Sequence, residues 1–194
     1  MRLGAVILAA GSGSRLGGVA KALLRSGSQT FLERIAETAR AVGLDDAIVV
    51  VGPPFGDAVA MHAHTIELAT RTNPDPARGM ASSVAIGFAA LAASPEPIEA
   101  AWLWPVDHPF VHAATLRRLI DALGDHEVAQ PRHGDRGGHP PLVARRLWPQ
   151  LAACATLDGG ARTVLAGADR IAVAVDDAGV VRDIDLPADA RAMP

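Results

Sequence analysis

The run Val6-Ile7-Leu8-Ala9-Ala10-Gly11-Ser12-Gly13-Ser14-Arg15-Leu16-Gly17-Gly18-Val19-Ala20-Lys21 joins an apolar segment to a loop of four glycines, two serines, one arginine and one lysine. Glycine lets a backbone come close to a ligand and turn its N–H groups toward it. Arg15 and Lys21 add cationic donors that suit phosphate oxygens. A buried strand that ends in such a loop is built to hold a polyphosphate. Two better-known phosphate loops are excluded. Gly11, Gly13 and Gly17 give G-x-G-x-x-x-G, one residue longer than the dinucleotide fingerprint, and the next strand ends in Gly52-Pro53-Pro54 without the acid that would bind a ribose. Lys21 lies between Ala20 and Ala22, so there is no Gly-Lys-Ser/Thr of a Walker loop.

Four further clusters carry chemistry. In Asn73-Pro74-Asp75-Pro76-Ala77-Arg78-Gly79-Met80-Ala81-Ser82-Ser83, Gly79, Ser82 and Ser83 bring N–H groups and hydroxyls to a helix start. That suits a ribose or phosphate, and it equally suits a helix cap; the two roles are compatible. In Trp102-Leu103-Trp104-Pro105-Val106-Asp107-His108-Pro109, Asp107 sits where a buried strand emerges. A carboxylate there suits a Mg²⁺ ion between an α-phosphate and its attacker, while the next helical pattern starts only near Ala113, too late for Asp107 to cap it. His108 either faces the acceptor or caps the loop. The segment Pro131-Arg132-His133-Gly134-Asp135-Arg136-Gly137-Gly138-His139-Pro140-Pro141 reads as a polar loop for an anionic acceptor, with Gly138, His139 and Pro140 as contacts. His133 and Arg136 either join them or are solvated. In Val181-Arg182-Asp183-Ile184-Asp185-Leu186-Pro187, alternation puts Asp183 and Asp185 on one side of a strand end. One of them is a candidate second metal ligand; alternatively Asp185 caps a last helix with Pro187 in its first turn. His62, His64, His112 and His126 have no metal-like spacing, and no G-x-S-x-G is present.

These residues need strands to place them. Apolar patterning predicts strands at Ala5–Ala10, Ala47–Val51, Thr65–Ala69, Ala101–Val106, Glu127–Ala129 and Pro141–Ala144. It predicts helices at Phe31–Val42, Phe55–His62, Met80–Ala92, Ala113–Leu123, Ala144–Ala152 and Ala161–Ala166. Two late strands, Ile171–Val175 and Val180–Asp183, flank the turn Asp176-Asp177-Ala178-Gly179 and predict antiparallel pairing there. The alternation of strand and helix argues for an α/β fold in three layers with a mostly parallel sheet. Ligands of such sheets bind at the carboxyl ends of the strands, where all five clusters fall. The chain has 194 residues, 49% hydrophobic and 20% charged, enough for one domain with a sizeable core. A net charge of −3 excludes a basic nucleic-acid face. The single cysteine, Cys154, forms no internal disulfide and suits a reducing compartment. The N-terminus lacks a signal-peptide layout and no apolar run is long enough to span a bilayer, so a cytoplasmic protein without membrane contact is expected.

Taken in order, LAAGSGSRLGGVAK, NPDPARGMASS, PVDHP, GGHP and DIDLP resemble the molybdenum cofactor cytidylyltransferase family. These are MobA-like NTP transferases that include accessory proteins of xanthine-dehydrogenase-type enzymes. The match runs over essentially the whole chain. The first and third motifs are shared by many nucleotidyltransferases that activate a sugar, an alcohol or a pterin phosphate; the other three are narrower. The resemblance implies a three-layer α/β/α Rossmann-like nucleotidyltransferase fold, in one domain over 1–194. It implies transfer of CMP from CTP to the phosphate of molybdopterin or its molybdenum form, with Mg²⁺ as cofactor and release of pyrophosphate. Leu8, Ala9, Ala10 and Gly11 would then meet the base, and Gly13, Arg15 and Lys21 the triphosphate. Asn73, Gly79, Ser82 and Ser83 would complete the nucleotide side. Arg15, Lys21 and Asp107 would be the catalytic group, Asp107 and Asp185 the metal ligands, and His108, Gly138, His139 and Pro140 the acceptor side. A molybdoenzyme client is an implied partner. Leu8-Ala9-Ala10-Gly11 departs from the LAGG of the guanylyl branch and points to CTP. The three residues between Gly17 and Lys21 match the guanylyl spacing, but Ala20 stands where that branch usually has Asp, and His108 where Gln is frequent. Two rival readings are a sugar- or alcohol-phosphate nucleotidyltransferase and a non-catalytic carrier of molybdenum cofactor.

Overall fold

Every residue of the first strand, β1 (Leu3–Leu8), is buried. That is why its sequence shows no polar alternation: it is paired in parallel on both sides and covered by helices above and below. The computed structural model describes residues 1–14, 17–95 and 97–184. Arg15 and Asp185 lie outside the described residues. The remaining strands are β2 (Arg25–Ser26), β3 (Gln29–Thr30), β4 (Leu44–Val51), β5 (Ala69–Thr72), β6 (Ala100–Pro105), β7 (Val128–His133), β8 (Arg136–Gly137), β9 (Leu142–Ala144) and β10 (Arg170–Ala174). The helices are α1 (Phe31–Arg40), α2 (Gly56–Thr65), α3 (Met80–Ala92), α4 (Ala113–Leu123), α5 (Trp148–Ala152) and α6 (Ala161–Gly167). The main sheet runs β10-β7-β9-β6-β1-β4-β5, with β8 paired to β7. It is parallel except at β9, which is antiparallel to both neighbours, and at β8.

The period of two along β1 sorts its side chains between two cores. Leu3, Ala5 and Ile7 pack with Phe31, Leu32 and Ile35 of α1 and Leu116 and Leu119 of α4. Val6 and Leu8 pack with Val84 and Phe88 of α3 and Trp148 and Leu151 of α5. The result is the expected α/β/α arrangement. Gly87 sets how closely α3 lies on the sheet, since a Cβ there would stand 2.2 Å from Val6 Cγ1. Helix α1 is held at its start by a capping box: Thr30 Oγ1 accepts from Glu33 N at 3.1 Å, and Glu33 accepts from Thr30 N at 2.5 Å.

From β1 the chain moves outward to β4 and β5, then returns to the other side of β1 as β6. The direction of winding reverses between β1 and β6. In open α/β sheets a crevice forms outside the strand ends at such a point. Leu8 and Pro105 end the two strands side by side there.

Three expectations need correction. Thr65–Ala69 is not a strand: α2 continues to Thr65, Glu67 turns at φ 59° and Leu68 N donates back to Ala63 O at 3.0 Å. The strand follows at Ala69–Thr72, on the sheet edge, where exposed Ala69, Arg71 and Thr72 need no apolar pattern. Val180–Asp183 forms no strand, and the late hairpin does not exist. Asp177 Oδ1 accepts from Gly179 N at 3.0 Å and starts a 3₁₀ turn at Ala178–Val180, while β10 pairs in parallel with β7. Finally, Pro131–Gly137 is a β-hairpin of β7 and β8 rather than a loop.

Candidate active site

The crevice outside Leu8 and Pro105 is a cleft of about 200 Å³. Backbone ladders carry its floor past the strand ends: Ala9 N donates to Val50 O at 2.8 Å and Val106 N to Leu8 O at 3.1 Å. Eight of the residues singled out in the sequence line it: Leu8, Ala9, Ala10, Gly11, Lys21, Gly79, Ser83 and Asp107. Four lining residues were not foreseen, Pro76, Met80, Pro105 and Val106. Met80 is 63% exposed; its place directly after the helix-start glycine Gly79 is the sequence signal that could have found it.

The glycine loop folds back on itself to deliver Lys21. Gly13 has φ 57°, and a Cβ there would stand 1.9 Å from Val19 O. Gly18 N donates to Gly13 O at 3.0 Å, closing the loop. Gly13 therefore shapes the loop and is not among the lining residues. Lys21 then opens a 3₁₀ turn, Lys21–Leu23. Its Nζ donates to Asp107 Oδ2 at 3.0 Å, joining positions 86 apart in sequence. The two side chains are 14% and 23% exposed, so each is partly shielded yet reachable from the cleft.

Asp107 is held by the backbone around it. Its carbonyl accepts from Ile184 N at 2.9 Å, and Trp104 Nε1 donates to His108 O at 3.0 Å, pinning the turn. Among the described residues there is no group of three or more His, Cys, Asp or Glu suited to a metal. Mg²⁺ does not require one, because it is commonly held by one or two carboxylates together with substrate phosphates. A single carboxylate facing a phosphate-type loop fits an ion that arrives with a nucleotide and does not fit a protein-only cage.

Asn73, Ser82 and Ser83 form a buried polar cluster at the cleft wall. Asn73 is 2% exposed. Its Nδ2 donates to Ser82 Oγ at 2.8 Å and Ser83 Oγ at 2.9 Å, and its Oδ1 accepts from Asp75 N at 3.1 Å. Ser82 Oγ donates to Gly79 O at 2.7 Å. Gly79 itself has φ 95°, which favours glycine. Asn73 and Ser82 therefore position Gly79 and Ser83, and only the latter pair reaches the cleft.

The acceptor candidates are also mostly interior. His108 is 7% exposed; Gly138 and Pro140 are buried and His139 is half-buried. The rings of His108 and His139 lie 4.9 Å apart at a tilt of 42°. His108 Nε2 is 4.0 Å from Asp107 Oδ1. Gly138 is required for this packing, because a Cβ there would stand 2.4 Å from Val180 O. His139 N donates to that same carbonyl at 2.7 Å. Burial pushes the imidazole of His108 below its ordinary range, against the pull of the Asp107 charge. Burial, then the neighbouring His108, push His139 down to about 4. Both rings are neutral at pH 7. Each has a buried Nδ1 without a hydrogen-bond partner. The pair lies beside Asp107, and among the described residues the cation facing the carboxylate is Lys21.

Residues 5–173 match the MobA-like NTP transferase domain. The chain belongs to that family. The nicotine blue oxidoreductase of Paenarthrobacter nicotinovorans is 31% identical over 167 residues, which cover 82% of this chain and 79% of that protein. The bifunctional IPC transferase and DIPP synthase of Rubrobacter xylanophilus is 40% identical over 143 residues, covering 70% of this chain but 31% of that protein. Among solved structures, Rv0371c of Mycobacterium tuberculosis is 28% identical with a TM-score of 0.81, covering 98% of this chain and 96% of its own. The same mycobacterial protein has been crystallised as a complex with manganese; there the identity is 27%, the TM-score 0.76, and the match covers 100% of this chain and 98% of that one. The fold is that of the nucleotidyltransferases, and the family is an NTP transferase family. No helix of the described residues is long and apolar enough to cross a membrane.

Proposed function

We propose that the chain is a Mg²⁺-dependent cytidylyltransferase that transfers CMP from CTP to the phosphate of molybdopterin or its molybdenum form. The observation that carries the reading is the Lys21–Asp107 pair, 3.0 Å apart at the switch-point cleft of an NTP transferase domain. In-line attack of an acceptor phosphate oxygen on the α-phosphorus would form one P–O bond and break the bond to pyrophosphate. Two anions must meet, so the chain's task is to position them and offset their charge. Lys21 supplies a cation to the leaving phosphates. Arg15, from the same loop but outside the described residues, is the proposed second cation. Ser83 and the Gly79 backbone face the nucleotide, while Ala9 and Ala10 leave room for a small base. Asp107 would hold the metal, with Asp185 as proposed second ligand; a bound divalent ion would neutralise phosphate charge. The manganese complex of the mycobacterial relative supports a divalent ion at this fold.

Two other acceptor classes, a sugar phosphate and an alcohol phosphate, use the same chemistry; the transferase activity named for the Rubrobacter relative supports group transfer. The oxidoreductase named for the Paenarthrobacter relative supports a reading in which the cleft holds a nucleotide for redox chemistry; the lysine–carboxylate pair, which suits a triphosphate and its metal, favours transfer. The test is pyrophosphate release with molybdopterin, Mg²⁺ and each of CTP, GTP, ATP and UTP. Release with CTP alone supports the whole reading. Release with another nucleotide overturns the base. Absence of release with any of them, in a folded protein that binds molybdopterin, overturns transfer to this acceptor in favour of a carrier role.

A further inference from the structure

The main sheet ends in two edge strands, β5 and β10, and among the described residues neither has a neighbour on its outer side. An unpaired edge offers a row of backbone donors and acceptors to another strand, and proteins usually guard it with charge, proline or a bulge. β5 is guarded in that way: exposed Arg71 stands within it and Pro74 follows its end. β10 is not. From Ile171 to Val175 the chain reads Ile-Ala-Val-Ala-Val, with no charge, proline or glycine, and β10 pairs with β7 without a register shift. Val175 N donates to Arg132 O at 2.8 Å, and Val128 N donates to Asp169 O at 3.1 Å. The odd-numbered residues therefore direct their backbone groups at β7, and the period of two turns those of Arg170, Ala172 and Ala174 to the open edge. The side chains of these three residues are exposed, as is Asp176 just past the strand, while Val173 and Val175 are buried. Arg170 and Asp176 have no ion-pair partner among the described residues.

We propose that the outer edge of β10 docks a second copy of this chain, whose own β10 adds to it in antiparallel pairing about a two-fold axis at Val173. Charge selects this occupant and this register. Hydrogen-bonded pairs form only between residues that both face the open edge. An axis at Val173 sets Ala172 opposite Ala174 of the other copy, and Ala174 opposite its Ala172. The same axis brings Arg170 of each copy beside Asp176 of the other. Axes at Ala172 or Ala174, which also oppose outward-facing residues, set both charges against alanines. The edge is thus complementary to itself, as an isologous dimer requires, and opposite charges across a strand pair stabilise it. Strand addition of this kind takes its affinity from main-chain bonds and its selectivity from the side chains. One short strand pair buries less than the roughly 1,000 Å² of a stable interface, so the dimer is weak and concentration-dependent.

Sedimentation equilibrium from about 10 µM to about 1 mM tests this on the whole chain. The average mass should rise with concentration from that of one chain toward twice that value. Asp176→Arg sets like charges against each other at both ends of the pair and should weaken the dimer about tenfold or more. Adding Arg170→Asp to it exchanges the two charges and should restore the wild-type constant to within about threefold. Ala172→Pro removes an N–H that faces the open edge and spares the ladder to β7, so it should leave a folded monomer at every concentration. Thr70→Pro on the β5 edge should dimerise as the wild type does. Circular dichroism verifies each fold; if Ala172→Pro does not fold, the charge exchange decides. A wild type that stays monomeric throughout, a dimer untouched by Ala172→Pro, a double variant no better than Asp176→Arg alone, or an equal loss in Thr70→Pro overturns the proposal. The measurement needs no nucleotide or acceptor, so it stands whichever acceptor the chain uses.

Discussion

Lowering the pH from about 8 to about 5 should cost the folded protein about 2 kcal/mol through His139. The imidazole is held down to about 4 in the folded chain, against an ordinary value of 6.5. Its Nδ1 is buried with no partner and the ring of His108 lies 4.9 Å away, so burial and that neighbour outweigh the pull of Asp107 and the Leu103 backbone on an added proton. Unfolding exposes the ring and lets it take up that proton. Between 6.5 and about 4 the unfolded chain therefore binds more protons than the folded one. The stabilisation is complete above that window, fades as the pH falls through it, and is gone below it. The whole gap is worth about 3 kcal/mol, of which about 2 kcal/mol is lost by pH 5. His108 is shifted in the same direction and adds to the slope. The assay is urea denaturation of the wild type and of His139→Asn at both pH values, comparing slopes rather than absolute stabilities. The variant should lose about 2 kcal/mol less on acidification. An NMR titration of the His139 ring near 6.5, or an unchanged slope in the variant, would refute the argument.

Asp107→Ala should abolish turnover while CTP binding falls far less; turnover retained at saturating Mg²⁺ would remove Asp107 from the machinery. Lys21→Gln, which leaves an amide donor for Asp107, should keep the fold but weaken nucleotide binding about tenfold or more, as fluorescence titration would show. Asn73→Ala removes two donated bonds and one accepted bond from a buried site and should cost about 2–4 kcal/mol in denaturant titration; a loss below 1 kcal/mol, on the order of a surface change, would mean the cluster is not structural. Gly138→Ala drives a Cβ to 2.4 Å from the Val180 carbonyl, where backbone has to move. It should lower the melting temperature by several degrees, about 4 °C or more, and perturb His139; an unchanged melting curve would show that the loop is slack.

The outline of the fold and the cleft was legible in the sequence because it rests on local signals. A continuously apolar strand, a glycine loop with placed cations and an acid just past a buried strand each announce themselves within a few residues. The features that were missed depend on partners far along the chain. Asp177 looked like part of a hairpin turn, but its carboxylate is taken by His112 and Thr115, more than sixty positions earlier. β5 carries no apolar pattern because it is an edge, which only the strand order reveals.

The polar residues of the site divide in a way that no spacing discloses. Lys21, Ser83 and Asp107 face the cleft, while Asn73, Ser82, His108 and His139 stand behind it. Sequence chemistry treats both sets alike, since each offers donors and acceptors near a strand end. Burial separates them. The inner set cannot touch a nucleotide without displacing the wall, and its hydrogen bonds and ring contact are directed at the backbone and side chains that hold the outer set. The proposed catalytic pair, 86 residues apart in sequence, is held 3.0 Å apart across two strands and a glycine loop. Displacements on the order of 1 Å are enough to cost a hundredfold in rate. On the proposed function, variants of the buried polar set should therefore lower turnover as variants of the cleft residues do. The set acts through position, so its variants should show altered kcat and altered stability together, whereas Lys21 and Asp107 variants should separate the two.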